Sequence, residues 1–126
     1  MNPILLPIFL AAPAVTTLPS PVPSEFIDIT TIVPDARLDV RYATEHNFVG
    51  SRIEGYEAAR CFLTKQAANA LSKVAKELSL QGHRLVVYDC YRPQRAVNHF
   101  IRWAKDLADQ RMKKEYYPNE AKEMLF

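Results

Sequence analysis

Glycine is scarce in this 126-residue chain, which has only Gly50, Gly55 and Gly82. Three dispersed glycines cannot build a phosphate loop or a dinucleotide fingerprint, and no GxSxG elbow occurs, so those nucleotide-binding and hydrolase classes are excluded. Cysteine is nearly absent. Cys61 and Cys90 are too few for a disulfide framework and form no CxxC pair, so two small buried thiols are expected, with pairing left open if the chain is exported. The three histidines, His46, His83 and His99, fall in no HExxH pattern and lack the paired spacing of a zinc site. Each is expected to be satisfied or exposed. Neither sign of charge is in excess: 16 basic and 14 acidic residues leave a net charge of +2, which argues for no nucleic-acid partner. The short basic run Arg111 to Lys114 reads as a solvated helix end. No apolar run is long enough to span a bilayer.

Proline, by contrast, is frequent, and five of the 9 prolines fall in the first 21 residues. Ile4 to Val15 is almost wholly apolar, and Ala12-Pro13-Ala14 has the small-x-small form of a cleavage site. Residues 1–14 are therefore read as a possible signal peptide, although no Lys or Arg precedes the run. That places the protein in the periplasm or outside the cell if the signal is real, and in the cytoplasm otherwise. Residues 15–24 have the composition of a proline-rich linker, so the folded part is expected at 25–126.

Within that part, Phe26 to Ile29 and Leu38 to Tyr42 alternate as short strands, with Pro34-Asp35 as the turn between them. Ala43 to Tyr56 reads as a surface loop. Phe62 to Leu80 has helical period, with Ala67, Leu71, Val74, Ala75 and Leu78 on one face, Thr64 as N-cap and Gly82 as terminator. Arg84 to Cys90 reads as a buried strand. Pro93 suits the first position of a second helix that runs to about Ala108, with Val97, Phe100, Ala104 and Leu107 inside and Ile101 beside them. The expected class is α+β: a small antiparallel sheet flanked by two amphipathic helices. So few strands make a thin sheet, which suggests an incomplete domain.

The junction Tyr88-Asp89-Cys90-Tyr91-Arg92-Pro93 carries the chemistry. Sites form where strands end and side chains converge. The proline restricts the backbone of Arg92, and arginine is not a favoured N-cap, so capping does not explain it. Its planar, permanently charged fork suits a carboxylate or a developing oxyanion. A structural ion pair with Asp89, or with a carboxylate elsewhere, is the competing explanation. Tyr88, Tyr91 and Trp103 suit either stacking or packing.

Three blocks resemble the D-alanyl-D-alanine dipeptidases, the VanX-like zinc peptidases. They are Asp39-Val40-Arg41-Tyr42-Ala43-Thr44 with Asn47-Phe48 and Gly50; Gly55-Tyr56-Glu57 with Arg60; and Asp89 to Asn98 with Phe100 and Trp103-Ala104, followed by Tyr116-Tyr117-Pro118-Asn119. The resemblance implies an α+β fold and zinc-dependent cleavage of the dipeptide D-Ala-D-Ala, a small D-amino-acid substrate. It implies that Arg92 stabilises the transition state and that Tyr42 lies near the substrate. The family's zinc ligands stand in an SxHxxGxAxD block and a later ExxH block, and neither occurs in this chain. The expectation is therefore the amino-terminal part of such an enzyme, with Arg92 but no metal ligands, inactive alone. The alternative is a non-catalytic module that binds cell-wall peptides, or an inactive fragment.

Overall fold

The computed structural model describes residues 22–126, so the expected leader at 1–14 and most of the linker at 15–24 lie outside the described residues. Strand β1 (Phe26–Asp28) pairs antiparallel with β3 (Phe62–Thr64), with Ile27 opposite Leu63. Strand β2 (Arg37–Leu38) pairs parallel with β4 (Val86–Val87). The helices are α1 (Lys65–Leu80), α2 (Gln94–Lys105) and the single turn α3 (Lys113–Tyr116). The class is α+β as expected, with a parallel ladder beside the antiparallel one.

The strands are shorter than their alternation suggests, for local reasons. Asp28 Oδ1 accepts from Thr30 N at 3.0 Å and from Thr30 Oγ1 at 2.7 Å, which caps a 3-10 turn at Ile29–Thr31 and ends β1. A second 3-10 turn at Arg41–Ala43 ends the β2 segment, although Asp39 N still donates to Val87 O at 2.9 Å. The Pro34-Asp35 turn therefore joins two strands that pair with later partners rather than with each other.

Helix α1 starts where its cap is. Thr64 Oγ1 accepts from Ala67 N at 3.3 Å, and the residues before it extend as β3 because β1 claims their backbone groups. The helix ends as expected: Gly82 takes φ +74°, Gly82 N donates to Ser79 O at 3.0 Å, and His83 N donates to Leu78 O at 2.9 Å. Its inner stripe is rotated from the expected one. Ala68 is fully buried against Ile29 and Cys61 and Leu71 packs beside them, while Ala67 and Val74 are exposed.

Two expectations are corrected. Cys61 and Cys90 are not free thiols but a disulfide, with Cα atoms 5.3 Å apart. Tyr91 N donates to Phe62 O at 2.9 Å, and this backbone bond lays the two cysteine-bearing segments side by side. The second correction concerns the segment from Ala43 to Tyr56, which is a wall of the main core rather than a surface loop: Val49, Ile53 and Tyr56 are buried. Asn47, 1% exposed, organises it. Its Nδ2 donates to Thr44 O and Ser51 O at 2.7 and 2.8 Å, and its Oδ1 accepts from Val49 N and Gly50 N at 2.9 and 3.2 Å. One amide side chain satisfies backbone groups that a ladder would otherwise pair.

Helix α2 stops at Lys105, short of Ala108, and buries Ala96, Phe100 and Trp103; Ile101 and Leu107 are exposed. The buried Lys122 closes its end. Lys122 Nζ donates to Asp106 O at 2.6 Å and Asp109 O at 2.8 Å and sits 3.9 Å from the Trp103 ring centroid. A cation there complements the helix dipole and the aromatic face together. Among the described residues no helix is long and apolar enough to cross a membrane.

Candidate active site

Asp89 follows β4, and Pro93 is the N-cap of α2, with its carbonyl accepting from Ala96 N at 2.9 Å. Arg92 stands just before that cap, its backbone restricted by the proline. Its Nη2 donates to Asp89 Oδ2 at 2.6 Å. The guanidinium carbon lies 5.0 Å from the Phe100 ring centroid and 5.5 Å from that of Tyr42, so aromatic faces flank the cation. The side chain is 41% exposed. The ion pair weighed from the sequence is therefore present, and it leaves the guanidinium partly open to solvent. Burial works against the charge, and the Asp89 carboxylate outweighs it with help from Tyr56 and Tyr42, so the Arg92 pKa is raised.

Asp89 is held from its other side. The buried Tyr56 hydroxyl donates to Asp89 Oδ1 at 2.7 Å. Burial, then the neighbouring Asp89, push the Tyr56 pKa far above the ordinary phenol value, so it remains a donor at any working pH. Burial likewise raises the pKa of Tyr42, against the opposing pull of the Arg92 charge. The Tyr42 ring meets Phe100 at 5.2 Å, Tyr56 at 5.3 Å and Phe48 at 6.0 Å between centroids.

Tyr42 and Asp89, both partners of Arg92, line a cavity of about 260 Å³ together with Asp39, Arg41, Phe48 and Tyr116. Half of its lining residues are aromatic, and carboxylates, an amide and a guanidinium make up the rest. The size is just under the usual range for ligand pockets, which suits a small molecule with charged ends. Arg41 Nε lies 3.5 Å from Asp39 Oδ2.

The histidines stand apart. His46 Nε2 lies 2.6 Å from Glu115 Oε1, and His99 Nδ1 accepts from Glu54 N at 3.1 Å. Among the described residues no group of three or more His, Cys, Asp or Glu side chains is placed to hold a metal ion. Within these residues, therefore, no donor set fits the zinc that the resemblance implies.

Arg92 and Tyr42, singled out from sequence, are brought together. Of the other aromatic candidates, Trp103 is core and Tyr91 packs on Phe26 at 4.6 Å, while Tyr88 is exposed and lines the cavity. Sequence reasoning missed Tyr56 and Phe100 as parts of the Arg92 environment. The Gly55-Tyr56-Glu57 block was the available signal for Tyr56.

Residues 23–125 match the family described as D-ala-D-ala dipeptidase, Peptidase M15. The chain is 40% identical over 94 residues to the D-alanyl-D-alanine dipeptidase of Enterococcus faecium, covering 75% of this chain and 46% of that protein. It is 37% identical over 102 residues to the protein of that name from Streptomyces coelicolor, covering 81% and 50%. For the Escherichia coli protein of the same name the identity is 42% over 73 residues, covering 58% and 37%. The chain thus spans about half the length or less of these relatives. The match extends across nearly all the described residues and includes the blocks that meet around Arg92, and the chain belongs to the D-ala-D-ala dipeptidase family.

Proposed function

We propose that this chain serves in zinc-dependent hydrolysis of the dipeptide D-Ala-D-Ala, with Arg92 as the group that binds the developing oxyanion of the scissile amide and Tyr42 as a wall of the substrate cavity. The observation that carries the reading is the partly open Arg92 guanidinium, anchored on Asp89 and flanked by aromatic rings, beside a cavity lined by its own partners. A donor fixed in advance loses nothing to reorganisation when charge develops. The zinc belongs to this reading through the family. The roles given to Arg92 and Tyr42 are binding and charge stabilisation, which the described residues supply by themselves.

Kinetics of the active dipeptidase test the assignment. Arg92→Ala lowers kcat for D-Ala-D-Ala by roughly 10²–10³-fold and changes KM little. Arg92→Lys restores little, because a point charge does not reproduce the fork. Equal rates for variant and parent would leave Arg92 a framework ion pair. Calorimetric titration of this chain with D-Ala-D-Ala, without zinc, separates the alternative. Binding that is lost in Arg92→Ala, with no turnover, favours a cell-wall peptide-binding module.

We also propose export to the periplasm or the exterior, a reading supported by the Cys61–Cys90 disulfide, which persists in oxidising compartments. Fractionation that finds the chain only in the cytoplasm, with both thiols free, overturns it.

A further inference from the structure

The segment Gly55-Tyr56-Glu57 has no assigned role, yet each of its residues touches the stretch that carries Arg92. Gly55 takes φ +94°, and a Cβ on it would meet Pro93 Cγ at 2.5 Å and Arg95 Nε at 3.0 Å. The close approach of this backbone to the start of α2 therefore requires glycine. Tyr56 donates to Asp89 Oδ1 at 2.7 Å. Glu57 Oε1 lies 3.0 Å from Arg95 Nη2. The three contacts straddle Arg92: one three residues before it, one at the following proline, one three residues after.

We propose that Tyr56 is a positioning residue for Arg92, acting through Asp89, and that Gly55 and Glu57 hold it in place against the start of α2. The inference rests on the reading of Arg92 as the anion-binding group. The carboxylate of Asp89 is shared: one oxygen takes the Arg92 Nη2 donor and the other takes the phenol. Asp89 lies just past a two-residue strand, so its side chain takes its orientation from these two partners. The Tyr56 hydroxyl, anchored by a ring packed on Tyr42, defines the plane of that carboxylate and so the direction of the guanidinium. Removing the hydroxyl leaves the ion pair but frees it to rotate. A purely structural tyrosine would contribute packing alone, which phenylalanine retains.

Nitrogen-15 NMR of the Arg92 guanidinium in this chain tests the proposal, with Tyr56→Phe as the variant. The parent is expected to show separate, slowly exchanging Nη signals. Tyr56→Phe is expected to merge them into one averaged signal while the thermal midpoint stays within a few degrees. Separate signals in a folded Tyr56→Phe protein overturn the proposal. If that variant does not fold, Asp89→Asn serves instead: it keeps an acceptor for the phenol but weakens the hold on Arg92, and unchanged Arg92 signals overturn the proposal equally. Titration of the same samples with D-Ala-D-Ala keeps the two inferences apart. Merged signals in Tyr56→Phe with no response of the parent to the dipeptide sustain the positioning role and count against the substrate reading. A parent response that persists unchanged in Tyr56→Phe, with separate Nη signals, does the reverse.

Discussion

Around Ile29, Cys61 and Ala68 the chain is held by a backbone ladder and a covalent bridge, and its core contacts are small and aliphatic. Around Phe100 and Trp103 it is held by aromatic rings and side-chain hydrogen bonds, and almost no ladder contributes. The first region fixes its backbone and leaves few polar groups inside. The second buries rings that carry hydroxyls and supports an arginine at its edge. A cation that must be both held and reachable needs the second construction, because rings can flank a guanidinium that aliphatic side chains would only desolvate. Stability and chemistry are thus divided between neighbouring parts of one small domain.

Removing the bridge gives the largest effect on this contrast. In the chain-entropy account, a link across a sequence separation of 29 residues contributes about 3–4 kcal/mol. The double variant Cys61→Ala with Cys90→Ala is expected to lose about that much in denaturant unfolding, while the aromatic near-ultraviolet signal of the folded state stays. Loss of that signal in the folded variant would show that the two regions are not separately held. Asn47→Ala probes the aromatic side. It leaves the buried Val49 N–H without its acceptor, at a cost of about 2 kcal/mol, measured by the same unfolding experiment. A cost near zero would show that water replaces the amide and that the wall does not depend on it.

The smallest effect is electrostatic and belongs to the ladder side. Burial raises the Asp28 pKa, but the hydrogen bonds from Thr30 and the fork of Arg60 outweigh it, and the carboxyl is held below its ordinary value. Because the folded pKa is the lower one, the contribution is full above the unfolded carboxylate pKa, begins to fade below about pH 4 and is gone once pH has fallen through the folded pKa. Asp28→Asn is expected to flatten that part of the stability profile. An unchanged acid slope would remove Asp28 from the account.

Much of the ladder side was legible in the sequence. Thr64 and Gly82 marked the ends of α1 through local chemistry, and local chemistry is what a sequence states most directly. The stripe of α1 was less legible: Ala67 and Ala68 look alike in sequence, and only the position of Ile29 decides which one is covered. The aromatic side was harder for the same reason in stronger form. Asn47 reads as a loop residue because its role is to replace a ladder, and Leu107 misses the inner face because α2 ends at Lys105, where Lys122, some twenty residues on from Trp103, packs against that ring. Arg92 and Tyr42 were identified through their motifs and Asp89 as a possible ion-pair partner, while the link from Tyr56 to Asp89 at 2.7 Å joins residues 33 apart and appears only in the fold. The disulfide depended on a backbone bond between Tyr91 and Phe62 that no spacing rule announces.

Lys122 gives the protein a built-in gauge of its own integrity. With its ammonium sealed under an indole and bonded to two carbonyls, it is shielded from amine-reactive reagents and tryptic cleavage as long as the closing turn stays seated. Its modification therefore reports how often that turn lifts away, and so reads the integrity of the aromatic cluster of which Trp103 is part.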